Sequence, residues 1–192
     1  MFPWIPFLSY IIVVAYTPGP NNIMSMNNAK NVGFKKGMVF NLGIFAGFLV
    51  VMVLCLIFST VLYTVVPTVQ LPMKILGAAY MVYLMIKTII PSKGHEVKST
   101  SGSFLIGAAL QLINPKIIIY GITAMSSYIL PHYQEIPVLL AFAFLLAFTG
   151  FTSTICWALF GSLFSMLFVK HGKLLNIIMA LLLLYCAVSL FL

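Results

Sequence analysis

The sequence predicts an all-α integral membrane protein of six transmembrane helices, and three observations carry that prediction. Of its 192 residues 62% are hydrophobic and 6% charged, with a mean hydropathy of +1.15, well beyond an ordinary soluble domain. The apolar residues gather into six runs, at about 5–29, 38–66, 71–90, 104–130, 136–168 and 174–192, each near the roughly 20 residues a helix needs to cross hydrocarbon. Finally, the runs are continuous rather than alternating. Since lipid admits only helices or closed barrels, continuity selects helices.

The net charge of +8 does not mark a nucleic-acid binder, because all ten cations are lysines placed singly or in pairs, most of them between or at the ends of apolar runs. That is loop charge on a membrane protein, and the bilayer is its expected surroundings. The first run is broken by Pro and Gly and has no basic leader or A-x-A-like cleavage site, so it reads as a retained span. Cys55, Cys156 and Cys186 all fall in apolar segments without C-x-x-C spacing. They read as small buried hydrophobes, and no metal or other cofactor is called for.

Lys30, Lys35 and Lys36 follow span one, Lys87, Lys93 and Lys98 follow span three, and Lys170 and Lys173 follow span five. Basic loops stay cytoplasmic, so both termini are expected to face outward. The polar stretch 91–103, PSKGHEVKSTSGS, divides one transmembrane domain (1–192) into halves 1–90 and 104–192. With three spans each, two such copies must have opposite orientations, the inverted repeat common in transporters.

Each half opens with a run broken by Pro: YTPGPNN at 16–22 and INPK at 113–116. Pro18 and Pro20 each remove a backbone donor, so span one should unwind there, with Gly19 permitting a sharp turn. Pro20 can begin a new half-helix, as can Pro115 behind Asn114 as N-cap. Counting about 1.5 Å per residue from Ser103 puts Asn114 to Lys116 roughly 16 to 20 Å into a layer of about 30 Å. Helix N-termini at that depth suit a carboxylate, while Asn21, Asn22 and Asn114 offer partners to an ammonium or hydroxyl. Thr17 completes the first break. A zwitterionic amino acid meets those requirements.

Lys116 is the one charge placed deep in a span, to be read either as a substrate or gating contact or as a snorkelling side chain. Gly43 and Gly47, in GIFAG, permit close helix contact, within the chain on the simpler reading or across a homodimer on the other. Gly33 and Gly37 are expected to shape the turn after span one. Tyr80 in span three and Gln111, one turn before Asn114, are further candidates for the pathway. Neither Glu96 nor Glu135 falls inside a span, so no membrane carboxylate is available to carry protons.

TPGPNN, the series Gly33, Gly37, Gly43 and Gly47, LGAAY at 76–80 and NPK at 114–116 resemble the LysE/RhtB family of amino-acid exporters over the whole chain. Longer strings, GFLVVMVLC at 47–55 and ALQLINPKIIIYGITAMSSYILP at 109–131 among them, resemble its cysteine/O-acetylserine branch. The resemblance implies a bacterial inner-membrane exporter of such small metabolites, driven by an ion gradient, with protons as the coupling ion. Many members carry an acidic or polar residue after the span-two glycines, where this chain has Phe48 and Leu49. The rival readings are a thiol electron carrier, which would need a reactive cysteine pair near the breaks, and a passive channel or assembly subunit.

Overall fold

The computed structural model describes residues 1–58 and 103–163 continuously, with isolated positions between 75 and 89 and between 174 and 188. Most of spans three and six, the linker up to 102, Lys74, Gly77, Tyr80 and Cys186 lie outside the described residues. The described chain is all helical. Its helices are α1 (Trp4–Tyr16), α2 (Pro20–Val32), α3 (Phe34–Ile57), α4 (Phe104–Leu112), α5 (Pro115–Thr123) and α6 (Ile136–Leu163), with a π-helical turn at Ala124–Ile129 after α5.

α3 and α6, with 24 and 28 residues, reach about 36 and 42 Å at 1.5 Å per residue, so both are long and apolar enough to cross a bilayer. α4 and the α5–π segment meet at a bend of 61° and are long and apolar enough only when taken together, as a broken span or a re-entrant loop. Their outward faces carry Val39, Leu42, Val50, Leu140, Phe144 and Phe148, all exposed. Such a surface suits lipid and would be a liability in water.

α2 is different, since five asparagines and Lys30 fall within its 13 residues. A helix this polar cannot face hydrocarbon. It is packed instead between α3 and α6, and Asn22, Ser25, Asn28 and most of its apolar residues are buried. Apolar packing closes around it in two places. The larger cluster joins Phe7 and Ile11 of α1, Met52 of α3, Tyr120 and Met125 beyond the second Pro motif, and Leu146 of α6. The smaller sets Met24 against Phe40 and Ile44.

Glycines set how closely the helices approach. A Cβ on Gly43 would run into the carbonyl oxygen of Phe104, one on Gly47 into that of Ala108, and one on Gly107 into that of Phe40. The GIFAG face is therefore spent on α4 within the chain, which leaves it no room to serve as a dimer seam. Gly33 alone makes the α2–α3 turn, at φ 84°, where other residues are strained. Gly37, expected to share that turn, lies inside α3 with its Cα face 3.3 Å, measured from an added Cβ, from Ala29.

Gly43→Val forces two packed backbones apart, an overpacking cost of about 1–3 kcal/mol. The detergent-solubilised protein is expected to melt several degrees lower, whereas Leu42→Val on the exposed face of the same helix should melt within about 2 °C of the parent. Equal melting temperatures would show that the seam is not under contact.

Candidate functional site

A helix that stops partway along an apolar run leaves its last carbonyls without partners. α1 stops at Tyr16, and side chains take up what its backbone leaves. The Val13 carbonyl accepts from the Thr17 amide (3.1 Å) and that of Val14 from the Thr17 hydroxyl (2.9 Å). Ala15 accepts from Asn22 Nδ2 and from the Ser153 hydroxyl, both at 2.9 Å. Tyr16 accepts from Trp157 Nε1 at 3.2 Å, and Thr17 from Asn22 Nδ2 at 2.9 Å and Lys116 Nζ at 3.0 Å. The single Ser153 proton is shared between the Ala15 carbonyl and Asn22 Oδ1, the latter at 3.1 Å, which orients the amide that serves two carbonyls.

The second Pro motif begins α5. Asn114 caps it, accepting from the Lys116 amide at 3.1 Å, with Pro115 in the first turn. α2 begins behind Gly19 and Pro20 with no side-chain cap, so its first amides keep their capacity to bind a ligand.

The two motifs meet. Asn21 Nδ2 donates to Gln111 Oε1 at 2.6 Å, and Asn114 Nδ2 donates to Asn21 Oδ1 at 3.2 Å. Gln111 Nε2 donates to the Gly107 carbonyl at 2.7 Å, so the buried amide is held from both ends. Lys116 Nζ reaches the Thr17 hydroxyl as well as its carbonyl, at 3.1 Å. A cation thus sits on the carbonyl end of α1, where the helix dipole favours it.

Between the motifs lies an open cleft holding about 380 Å³ of empty space, its mouth included. One wall is polar: Asn21, Asn22, Asn114 and Lys116, with Gly19 and Pro20. The other is apolar, with Val14, Phe48, Ile117 and Tyr120, the Phe48 and Tyr120 rings meeting edge to face at 5.8 Å. Among the described residues Lys116 brings the only formal charge to the lining, and neither Cys55 nor Cys156 reaches it.

Thr17 and Gln111 stand behind this lining, one holding Lys116 and the other Asn21. Pro18 and Pro115 shape the chain without lining the cleft, and Tyr80 lies outside the described residues. Gly19 is extended at φ −165°, a conformation any residue adopts. A Cβ there would stand 2.9 Å from Lys116 Nζ, the tip of a long side chain that can step aside. Sequence reasoning missed the contribution of α6. Gly150 and Thr154 line the cleft, and Gly150 makes room for the Phe48 ring. The signal was the string GFTST at 150–154, a small and polar interruption in an apolar run.

Asn21→Ala and Gln111→Ala should each cost about 1 kcal/mol, and the double variant less than the sum by at least about 0.5 kcal/mol, because either change breaks the same pair. Reversible unfolding in mixed micelles measures the cycle. Strict additivity would mean the two amides are not bonded.

Comparison with known proteins places the chain. Residues 12–192 match the LysE type translocator family. The chain is 41% identical over 186 residues to the cysteine/O-acetylserine efflux proteins of Escherichia coli strain K12 and Shigella sonnei strain Ss046, with 96% of this chain and 95% of each relative covered. No solved structure matches it. Taken with its apolar helices, these matches make it a multi-pass inner-membrane protein, and the chain belongs to the LysE family of translocators.

Proposed function

We propose that this chain is a secondary active exporter of small amino acids, cysteine and O-acetylserine foremost, and that the cleft between the two Pro motifs is its substrate site. One observation carries the reading: amide side chains about ninety positions apart are hydrogen-bonded across the two Pro motifs, beside a largely apolar cleft that Asn21, Asn22, Asn114 and Lys116 help to line. Lipid-embedded proteins do not keep such a pocket without use for it.

The substrate carboxylate is assigned to the uncapped start of α2 and the Lys116 ammonium, the two positive features of the wall. Asn21 and Asn114 offer amide oxygen to the substrate ammonium. The Phe48 and Tyr120 rings face the small side chain across the cleft. Lys116 also ties the end of α1 to the start of α5, so a carboxylate that draws its ammonium away from Thr17 loosens that tie. Substrate binding and helix movement would thereby be coupled through one side chain.

On this reading α1 with α2 and α4 with α5 are counterpart interrupted spans of two inverted repeats, 1–90 and 104–192. Both termini face outward, and the Lys30, Lys35 and Lys36 end of α2 and α3 faces the cytoplasm. One repeat rocks against the other around the cleft. The relatives' names support cysteine and O-acetylserine as cargo, and proton motive force is the proposed drive. Among the described residues no carboxylate lines the cleft, and Cys55 and Cys156 stand outside it, which disfavours a thiol electron carrier.

Everted vesicles containing the protein should accumulate O-acetylserine saturably, and a protonophore should abolish accumulation. Lys116→Met and Asn114→Ala should each reduce the rate at least about tenfold, a loss matching one charge-assisted contact, and Pro18→Ala should abolish transport. Wild-type rates from all three at matched membrane levels would remove the cleft from the mechanism. Flux that never saturates would make the protein a channel.

A further inference from the structure

α2 carries its polarity past the cleft. Ser25 and Asn28 follow Asn21 at four and seven residues, on the same face of the helix. Both are buried, as is Asn41 of α3, with 1%, 7% and 1% of their surfaces exposed. Among the described residues, Ser25 Oγ, Asn28 Nδ2 and both amide atoms of Asn41 have no hydrogen-bond partner. Buried polar atoms are nearly always paired, and in a membrane interior no solvent stands by to pair them. Four such atoms at one level of the helix pair keep hydrogen-bonding capacity for a polar guest.

Helix register brings them together. The chain reverses at Gly33, so α2 and α3 run antiparallel, and Gly37 packs on Ala29. One turn further from the reversal on each helix sets Ser25 opposite Asn41. Met24 packing with Phe40 and Ile44 fixes the same level. Another turn along α2 stands Asn21, already in the cleft. The orphaned atoms therefore lie between the cleft and the basic end of the α2–α3 hairpin.

We infer that Ser25, Asn28 and Asn41 form a second binding station for the zwitterionic amino-acid substrate, between the cleft and the cytoplasm, closed in this conformation. Its neutral hydroxyl and amides can accept from an ammonium and donate to a carboxylate without a countercharge to hold either fast. Weak binding of that kind suits a stage that must release its cargo onward. The closure is made by small residues on both sides of α2, where Gly37 meets Ala29 and Gly161 leaves no room for a Cβ beside the Met26 carbonyl. The station opens when α2 parts from these two contacts.

This inference rests on the exporter reading, and its test separates the two. In a chain whose own Cys55, Cys156 and Cys186 are replaced by Ala, Ser25→Cys is exposed in everted vesicles to a membrane-impermeant cationic methanethiosulfonate. Modification is expected, and saturating O-acetylserine should slow it at least about fivefold. Asn41→Leu, close in volume but without hydrogen-bonding atoms, should raise KM for O-acetylserine uptake at least about tenfold in the native background. Asn41→Ser should recover part of that loss. No modification, modification indifferent to substrate, or an unchanged KM in Asn41→Leu overturns the station, those atoms then serving structural water alone. Failure of the unmutated chain to transport O-acetylserine overturns the exporter reading instead, and the station with it.

Discussion

Everything around the cleft depends on one constraint: a helix that ends partway along an apolar run must have every freed carbonyl answered by a donor. At the end of α1 the donors come from far away in sequence, Ser153 and Trp157 from α6 and Lys116 from α5, together with Asn22 from the next helix. The break is thus a property of the assembled bundle and not of Pro18 and Pro20 alone. Prolines can stop a helix, but only a surrounding set of donors makes the stop tolerable in a medium without water. The same donors pin α1, α2, α5 and α6 to one point.

Much of this was legible in the sequence because it rests on backbone chemistry. Helical class follows from run length and continuity, the start of α5 from Asn114 and Pro115, and the α2–α3 turn from Gly33, the only positive φ among the described residues. The partnership of the two Pro motifs was readable from their matching places in the two halves. The partners within it were not, because which amide meets which is decided by tertiary register. Gln111 was expected to reach the pathway and instead buttresses Asn21 from behind the wall. Gly19 was expected to serve a sharp turn and is extended instead.

The α6 contribution escaped for a different reason. Ser and Thr in an apolar helix commonly bond back to their own preceding turn, as Thr149 does to Leu145 and Thr154 to Phe151, so their presence alone announces nothing. Ser153 departs from that habit and reaches Ala15 and Asn22. Only packing separates these neighbours. Likewise the polarity of α2 would ordinarily argue against a span, and its enclosure by α3 and α6 resolves the conflict.

The reversal at Gly33 limits how α2 can travel. Val32 closes one helix and Phe34 opens the next, so a lone residue links them and there is no spare chain to let one slide lengthwise along the other. Displacement of α2 relative to α3 is confined to a swing about that joint, like a blade on a pin, with the largest excursion at the far tip beside Pro20. A small angular change at the hairpin's base is thereby magnified where Asn21 and Asn22 stand.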